Sequence, residues 1–140
     1  SSDLLIAQGS GHVINTASAS GLLAYGFDRL PYVASKHAIV GLSEALAAYL
    51  GPKGVGVTCL CPSGVITNIL EGITVYGDAA PTPLAPAHQI VAAEDVGNLT
   101  ADAVETGRFL VVTAPEVHDA LMRRATDIEA YIQASIEAQG

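Results

Sequence analysis

Tyr32 and Lys36 form the residue pair whose types and spacing most suggest chemistry. They stand four positions apart, so a helical segment places them on one face, one turn from each other. A tyrosine ordinarily has a pKa near about 10, too high for a base at neutral pH, and a nearby ammonium group lowers that pKa. The pair alone is weak support for catalysis, because a surface lysine beside a half-buried tyrosine is the ordinary alternative.

Two further polar segments follow predicted strands. Ser18 comes just after an apolar run at 12–16, and residues 62–67 come directly after another at 55–61. Open parallel sheets bind their ligands at the carboxyl ends of the strands. Taken singly, each segment is more often a turn, with Thr67 as a helix cap. Both segments therefore lie at the carboxyl ends of predicted strands, where ligands of such sheets bind.

The elements that must position these residues alternate between strand and helix. This alternation is typical of a parallel sheet covered by helices and joined by right-handed crossovers. Three strands are few for such a sheet. The pattern predicts a helix at 2–8, a strand at 12–16, a helix at 32–50, a strand at 55–61, a proline-containing loop at 67–92 with a short helix near Ile69, a helix at 93–106, a strand at 108–113 and one or two helices after Pro115.

Three blocks together, at 15–18, 32–36 and 62–67, have the order and spacing of known motifs. They read Asn-Thr-Ala-Ser, Tyr-Val-Ala-Ser-Lys and Pro-Ser-Gly-Val-Ile-Thr. In this the chain resembles the short-chain dehydrogenase/reductase family, strongly over residues 9–70 and loosely beyond them. The resemblance implies an α/β fold, namely the C-terminal part of a doubly wound, Rossmann-like parallel sheet.

The resemblance also implies roles for individual residues. Tyr32 would be the general acid/base, Lys36 would lower the pKa of that tyrosine and hold the nicotinamide ribose, and Ser18 would orient the substrate oxygen. The cofactor would be NAD or NADP, and the substrate a small-molecule secondary alcohol or ketone. The implied reaction is hydride transfer that interconverts the two.

The implied cofactor site centres on the third block. The backbone of Pro62, Ser63 and Val65, with the Thr67 hydroxyl, would hold the nicotinamide ring and its carboxamide. Family members usually have glycine where this chain has Ser63, so a slightly altered approach of the backbone to the nicotinamide is expected. The full implied cofactor-binding set is Thr16, Tyr32, Lys36, Pro62, Ser63, Gly64, Val65 and Thr67.

Other family features are missing from the sequence. The segment 9–11 (Gly-Ser-Gly) precedes a strand, so it cannot be the glycine-rich turn that leads from a strand into a helix and binds phosphate. The residue that selects NAD or NADP and the asparagine of the proton relay are absent with it. Residues 1–140 are therefore expected to be the C-terminal portion of one NAD(P)-binding domain. Two alternatives stay open: a truncated, non-catalytic module that binds a subunit through the helix at 32–50, and one half of a split enzyme.

Composition excludes several other classes of protein. Fourteen acidic residues against six basic ones give a net charge of −8, which argues against nucleic-acid binding. Half of the residues are hydrophobic, which excludes disorder. A membrane span needs about 20 consecutive apolar residues, and no run in the sequence approaches that length. The histidines lack metal-ligand spacing and predict no metal site; they are His12, His37, His88 and His118.

Cys59 and Cys61 lie two apart in a predicted strand, on the same face and about 7 Å apart at the backbone, too far for an undistorted disulfide. They are expected to be small buried residues.

With no signal peptide and no sign of an oxidising compartment, a cytoplasmic protein is expected. The resemblance adds a homo-oligomer, a dimer or tetramer, in the full-length form.

Overall fold

A computed structural model describes residues 2–24, 28–72, 74 and 90–138 of the chain. The helices agree closely with the predicted ones, and two separate helices follow Pro115. The described elements are α1 (Ser2–Gln8), β1 (Gly11–Thr16), α2 (Leu30–Leu50), β2 (Val55–Cys61), β3 (Gly64–Ile66), β4 (Ile90–Ala92), α3 (Ala93–Thr106), β5 (Leu110–Val112), α4 (Glu116–Thr126) and α5 (Ile128–Glu137), with short 3₁₀ turns at Ala19–Gly21, Gly51–Lys53 and Asn68–Gly72.

The main sheet is parallel and has β2 at its centre, between β1 and β5. β1 pairs with β2 from Gly11↔Val55 to Thr16↔Leu60, and β2 pairs with β5 over its last three residues. Six of the seven β2 residues are buried, because a central strand of a parallel sheet is covered on both faces.

Helices cover both faces of this sheet. On one face, Leu50 of α2 packs with Val55 and Val57 of β2 and with side chains of α1. On the other face, Ala103 of α3 packs with Leu60 and Val111. The two clusters use alternating side chains of β2, as a pleated strand between two helix layers requires.

A second small sheet corrects the expectation of three strands. β3 and β4 pair in parallel, with Gly64 opposite Ile90 and Ile66 opposite Ala92. Both segments were placed in or beside a loop, because three residues are too few to show an alternating pattern. The described part of the 68–92 segment does contain the predicted short helix near Ile69, at Asn68–Gly72; residues 75–89 of that loop lie outside the described residues.

The bounds of three elements also differ from those predicted, and the first of them, β1, begins one residue early, at Gly11. α2 begins at Leu30, two residues early, because Pro31 lies in its first turn, where a backbone N–H has no helical partner anyway. The strand predicted at 108–113 is shortened to Leu110–Val112. Within the described residues, no helix is long and apolar enough to cross a membrane, and no group of three or more potential metal ligands is present.

The two cysteines are fully buried and free, with their sulfur atoms 3.7 Å apart. Both belong to the main hydrophobic cluster, with Val40 of α2 and Val117 of α4. The expectation of two small buried residues is confirmed. The hydrogen bond with Cys59, and next the burial itself, raise the pKa of Cys61 above its ordinary value.

Candidate functional site

The first two turns of α2 present Tyr32 and Lys36 at the carboxyl end of β1. The Lys36 Nζ donates a hydrogen bond of 3.1 Å to the main-chain carbonyl oxygen of Thr16. The same Nζ lies 5.6 Å from the centre of the Tyr32 ring, within reach of a cation–π contact. Tyr32 is 44% exposed, so its side chain can meet a bound molecule while an ammonium group stands beside it.

Ser18 lies just past β1 and caps the 3₁₀ turn Ala19–Gly21. Its backbone is extended, and its Oγ accepts a hydrogen bond of 3.1 Å from the Ser20 N–H. The hydroxyl also faces the Pro62 carbonyl oxygen at 3.5 Å, the limit for a hydrogen bond. Ser18 is 8% exposed. The accepted bond fixes its oxygen, and the weak second contact leaves its proton available to a better acceptor.

Backbone hydrogen bonds join the Ser18 turn to the segment that follows β2. The ladder between β1 and β2 continues beyond the strands, with Ala17 N–H donating to Leu60 O and Ala19 N–H donating to Pro62 O, both at 2.8 Å. The Pro62 carbonyl therefore accepts from two directions at the Ser18 turn. This direct link brings the two polar segments together at one edge of the sheet.

The segment 62–67 is held in place from two sides. The Ser63 N–H donates to the Thr113 Oγ1 at 2.9 Å, just past β5. At the other end, Thr67 Oγ1 accepts from the Ile69 N–H at 3.4 Å and begins the next 3₁₀ turn, as a capping threonine does. Gly64 and Val65 lie between these anchors in β3. The whole segment thus runs along the carboxyl edge of the main sheet.

Ser63 fits its position without backbone strain, although glycine is usual there in the family that the chain resembles. No non-glycine residue of the described chain has a positive φ, so the position does not require glycine. Its Oγ, however, is buried and has no hydrogen-bond partner. An orphaned polar atom of this kind calls for a physical explanation.

Gly21 and Thr113 are two positioning residues that the sequence motifs did not identify. A Cβ on Gly21 would come within 2.6 Å of the Lys36 carbonyl oxygen, so only glycine lets the Ser18 turn pack this closely on α2. A glycine three residues after the serine was the available signal. Thr113 gave no signal, because its contact with Ser63 spans fifty positions of the chain.

Asn15, in the first motif block, has a structural contact. Its Nδ2 donates to the Ser43 Oγ at 3.0 Å, and that hydroxyl donates in turn to the Ile39 carbonyl oxygen at 2.7 Å. Ser43 is fully buried. This chain of bonds fastens the end of β1 to α2, below the turns that carry Tyr32 and Lys36.

Comparisons with known sequences converge on one family. The model of the family described as short chain dehydrogenase matches residues 1–75. The chain is 33% identical to 1-deoxy-11-beta-hydroxypentalenate dehydrogenase of Streptomyces exfoliatus over 86% of its own length and 42% of that protein. It is 44% identical to D-beta-hydroxybutyrate dehydrogenase of Rhizobium meliloti over 46% of its length and 24% of that protein. The chain thus spans less than half the length of either relative.

Solved structures show the same fold. A short chain dehydrogenase/reductase from Burkholderia phymatum, in complex with NAD, superposes with a TM-score of 0.70 at 34% identity, over 89% of this chain and 50% of that one. A short chain dehydrogenase from Burkholderia cenocepacia J2315, in complex with NADP, superposes with a TM-score of 0.69 at 22% identity, over 92% of this chain and 48% of that one. The expected Rossmann-like α/β fold is confirmed.

Proposed function

The chain belongs to the short chain dehydrogenase family, and we propose that its protein is an NAD(P)-dependent oxidoreductase that interconverts a secondary alcohol and a ketone. The observation that carries this proposal is the convergence of the three motif blocks at one sheet edge, through the Lys36–Thr16 and Ser18–Pro62 contacts. The relatives' names and the NAD in the Burkholderia phymatum structure support it.

The residues at this edge fit the nicotinamide half of the cofactor. Lys36 offers a cationic donor with two N–H groups left after its bond to Thr16. Ser63 offers an unpartnered hydroxyl. In the proposal, Lys36 holds the nicotinamide ribose, while the backbone of residues 62–65 and the Thr67 hydroxyl hold the nicotinamide ring and carboxamide. When bound, the cofactor accepts or returns the hydride.

The proton of the reaction is assigned to Tyr32. During alcohol oxidation the substrate loses a hydride from carbon and a proton from its hydroxyl oxygen, and the Tyr32 phenolate oxygen takes that proton. The Lys36 ammonium group, 5.6 Å from the ring centre, places a positive charge beside the group that transfers the proton. In the reverse direction, the Tyr32 hydroxyl returns the proton to the carbonyl oxygen.

Ser18 is proposed to orient the substrate oxygen. Its oxygen already accepts from the Ser20 N–H, so its proton points elsewhere. A substrate oxygen that develops negative charge is a stronger acceptor than the Pro62 carbonyl at 3.5 Å. The Ser18 hydroxyl therefore stabilises the reacting oxygen more as charge develops on it.

A direct absorbance assay of the nicotinamide cofactor tests this function. The full-length gene product is incubated with NAD⁺ or NADP⁺ and a panel of small secondary alcohols, and formation of the reduced nicotinamide is followed. Alcohol-dependent reduction of one cofactor is the expected result. If the protein binds neither reduced cofactor and reduces neither oxidised one, the proposal is wrong.

The size of the natural protein separates this proposal from the two alternatives. We propose that residues 1–140 are the C-terminal portion of one dinucleotide-binding domain, supported by matches that cover 42% of one relative and 50% of one solved chain. An intact mass near twice 14.3 kDa in the native cell is expected. A mass of 14.3 kDa would instead favour a subunit-binding module or a split enzyme.

A further inference from the structure

The Ser63 side chain carries a buried polar atom to which the proposed mechanism assigns no contact. Its hydroxyl oxygen is shielded from water and has no hydrogen-bond partner. A buried hydroxyl without a partner destabilises a folded protein relative to an apolar side chain of the same size. A group of this kind is explained by strain, by an ordered water or ion, or by a ligand.

Ser43 shows what a satisfied buried serine looks like in the same fold. Its hydroxyl accepts from Asn15 Nδ2 and donates to the Ile39 carbonyl oxygen. The two serines therefore differ in hydrogen bonding, and the same Ser→Ala change should affect them in opposite directions. This pair provides a matched comparison for the role of Ser63.

The backbone of Ser63 is fixed at the edge of the candidate site. Its backbone N–H is held by Thr113 at 2.9 Å, so the residue is anchored while its hydroxyl is left over. Its neighbour Pro62 accepts hydrogen bonds from the Ser18 turn. The residue that carries the orphaned hydroxyl is thus fixed at the edge where the motif residues meet, within the segment proposed to hold the nicotinamide.

We infer that the Ser63 hydroxyl is a specific hydrogen-bond partner for the carboxamide of the nicotinamide ring, an additional contact that a glycine at this position cannot make. A hydroxyl both donates and accepts, and a carboxamide offers both an acceptor oxygen and donor N–H groups. This inference rests on the proposed function, because it requires that a nicotinamide cofactor binds at this edge.

Ser63→Ala and Ser43→Ala, made in the full-length gene product, test the inference. Thermal unfolding is measured without cofactor, and dissociation constants are measured for NADH, for NADPH and for ADP-ribose, which lacks the nicotinamide. For Ser63→Ala we expect a Tm higher by about 3 °C, a roughly five- to tenfold weaker affinity for the reduced cofactor that the wild type binds, and unchanged ADP-ribose affinity. For Ser43→Ala we expect a lower Tm.

Each other outcome overturns the inference in a distinguishable way. A lower Tm for Ser63→Ala means that the hydroxyl has a partner within the protein. Unchanged affinity for the reduced cofactor means that the hydroxyl stays without a partner when the cofactor is bound. The proposed function then stands if the wild type still reduces its cofactor. Equal weakening for ADP-ribose moves the contact away from the carboxamide. Failure of the wild type to bind either reduced cofactor overturns both the inference and the proposed function.

Discussion

The Lys36 ammonium group donates to the main-chain carbonyl oxygen of Thr16 at 3.1 Å. The bond joins the second turn of α2 to the last residue of β1. It fixes a long, flexible side chain at the sheet edge, beside the Tyr32 ring. A lysine placed in this way loses little further conformational freedom when it binds a ligand, which is a form of preorganisation.

Replacing Lys36 with methionine removes the charge and keeps a side chain of comparable length. We expect turnover to fall by about 100-fold or more, together with weaker cofactor binding, because both the proposed ribose contact and the charge beside Tyr32 are lost. The free energy of unfolding should change by less than about 1 kcal/mol, since the lost bond is exposed. Steady-state kinetics, cofactor titration and denaturant unfolding check the three parts. Unchanged turnover would remove Lys36 from its assigned role.

Gly21→Ala tests whether the Ser18 turn must pack closely on α2. The added Cβ would meet the Lys36 carbonyl oxygen at 2.6 Å, so one backbone segment must move. We expect a loss of about 100-fold in turnover, because small displacements of reacting groups are costly. We also expect a destabilisation of about 1–3 kcal/mol.

Gly41→Ala is the matched control for that substitution. Gly41 lies within α2, the helix on which the Ser18 turn packs, and an added Cβ there meets nothing within 4 Å. Alanine is favoured over glycine inside a helix, so we expect a stabilisation of about 0.5–1 kcal/mol and unchanged turnover. If Gly21→Ala behaves like Gly41→Ala, the close approach has no functional importance.

The buried cysteines predict a thiol-labelling pattern. Cys59 and Cys61 are fully buried, so an excess of a thiol reagent should label neither in the native protein and both after unfolding. Rapid labelling without denaturant would contradict the packing of β2 against the main cluster.

The raised pKa of Cys61 also predicts a pH dependence of stability. A thiol whose pKa is higher in the folded state than in the unfolded state keeps its proton longer when folded. Its contribution to stability is complete below the ordinary thiol pKa of 9.0 and decreases as the pH rises above that value. Denaturant midpoints measured across this range for the wild type and Cys61→Ala check the sign. A pH dependence that is the same in both proteins would contradict it.

The main sheet and its helices could be predicted because each long element carries its own local signal. The apolar β-branched run at 55–61 and the alanine-rich run that became α2 were readable without any tertiary contact. The small sheet was not readable, because Gly64 pairs with Ile90, 26 positions further along the chain. Pairs of three-residue strands depend on such distant contacts and leave almost no local pattern.

The candidate site likewise has residues that could be predicted from the sequence and properties that could not. Ser18, Tyr32 and Lys36 stood out because their motif blocks are local, and the fold brings the blocks together through hydrogen bonds that the sequence does not display. The close packing at Gly21 and the unpaired hydroxyl of Ser63 depend on what lies opposite each residue in space. Residue type and spacing offered no more than the glycine itself for the first property, and nothing for the second.

The measurement that tests the central claim most directly is turnover and cofactor binding of Tyr32→Phe in the full-length gene product. The change removes one hydroxyl from a side chain that is 44% exposed, so folding should be unaffected. We predict that turnover falls by at least about 100-fold, while the dissociation constant for the reduced cofactor changes by less than about twofold. Turnover close to that of the wild type would contradict the assignment of Tyr32 as the general acid/base.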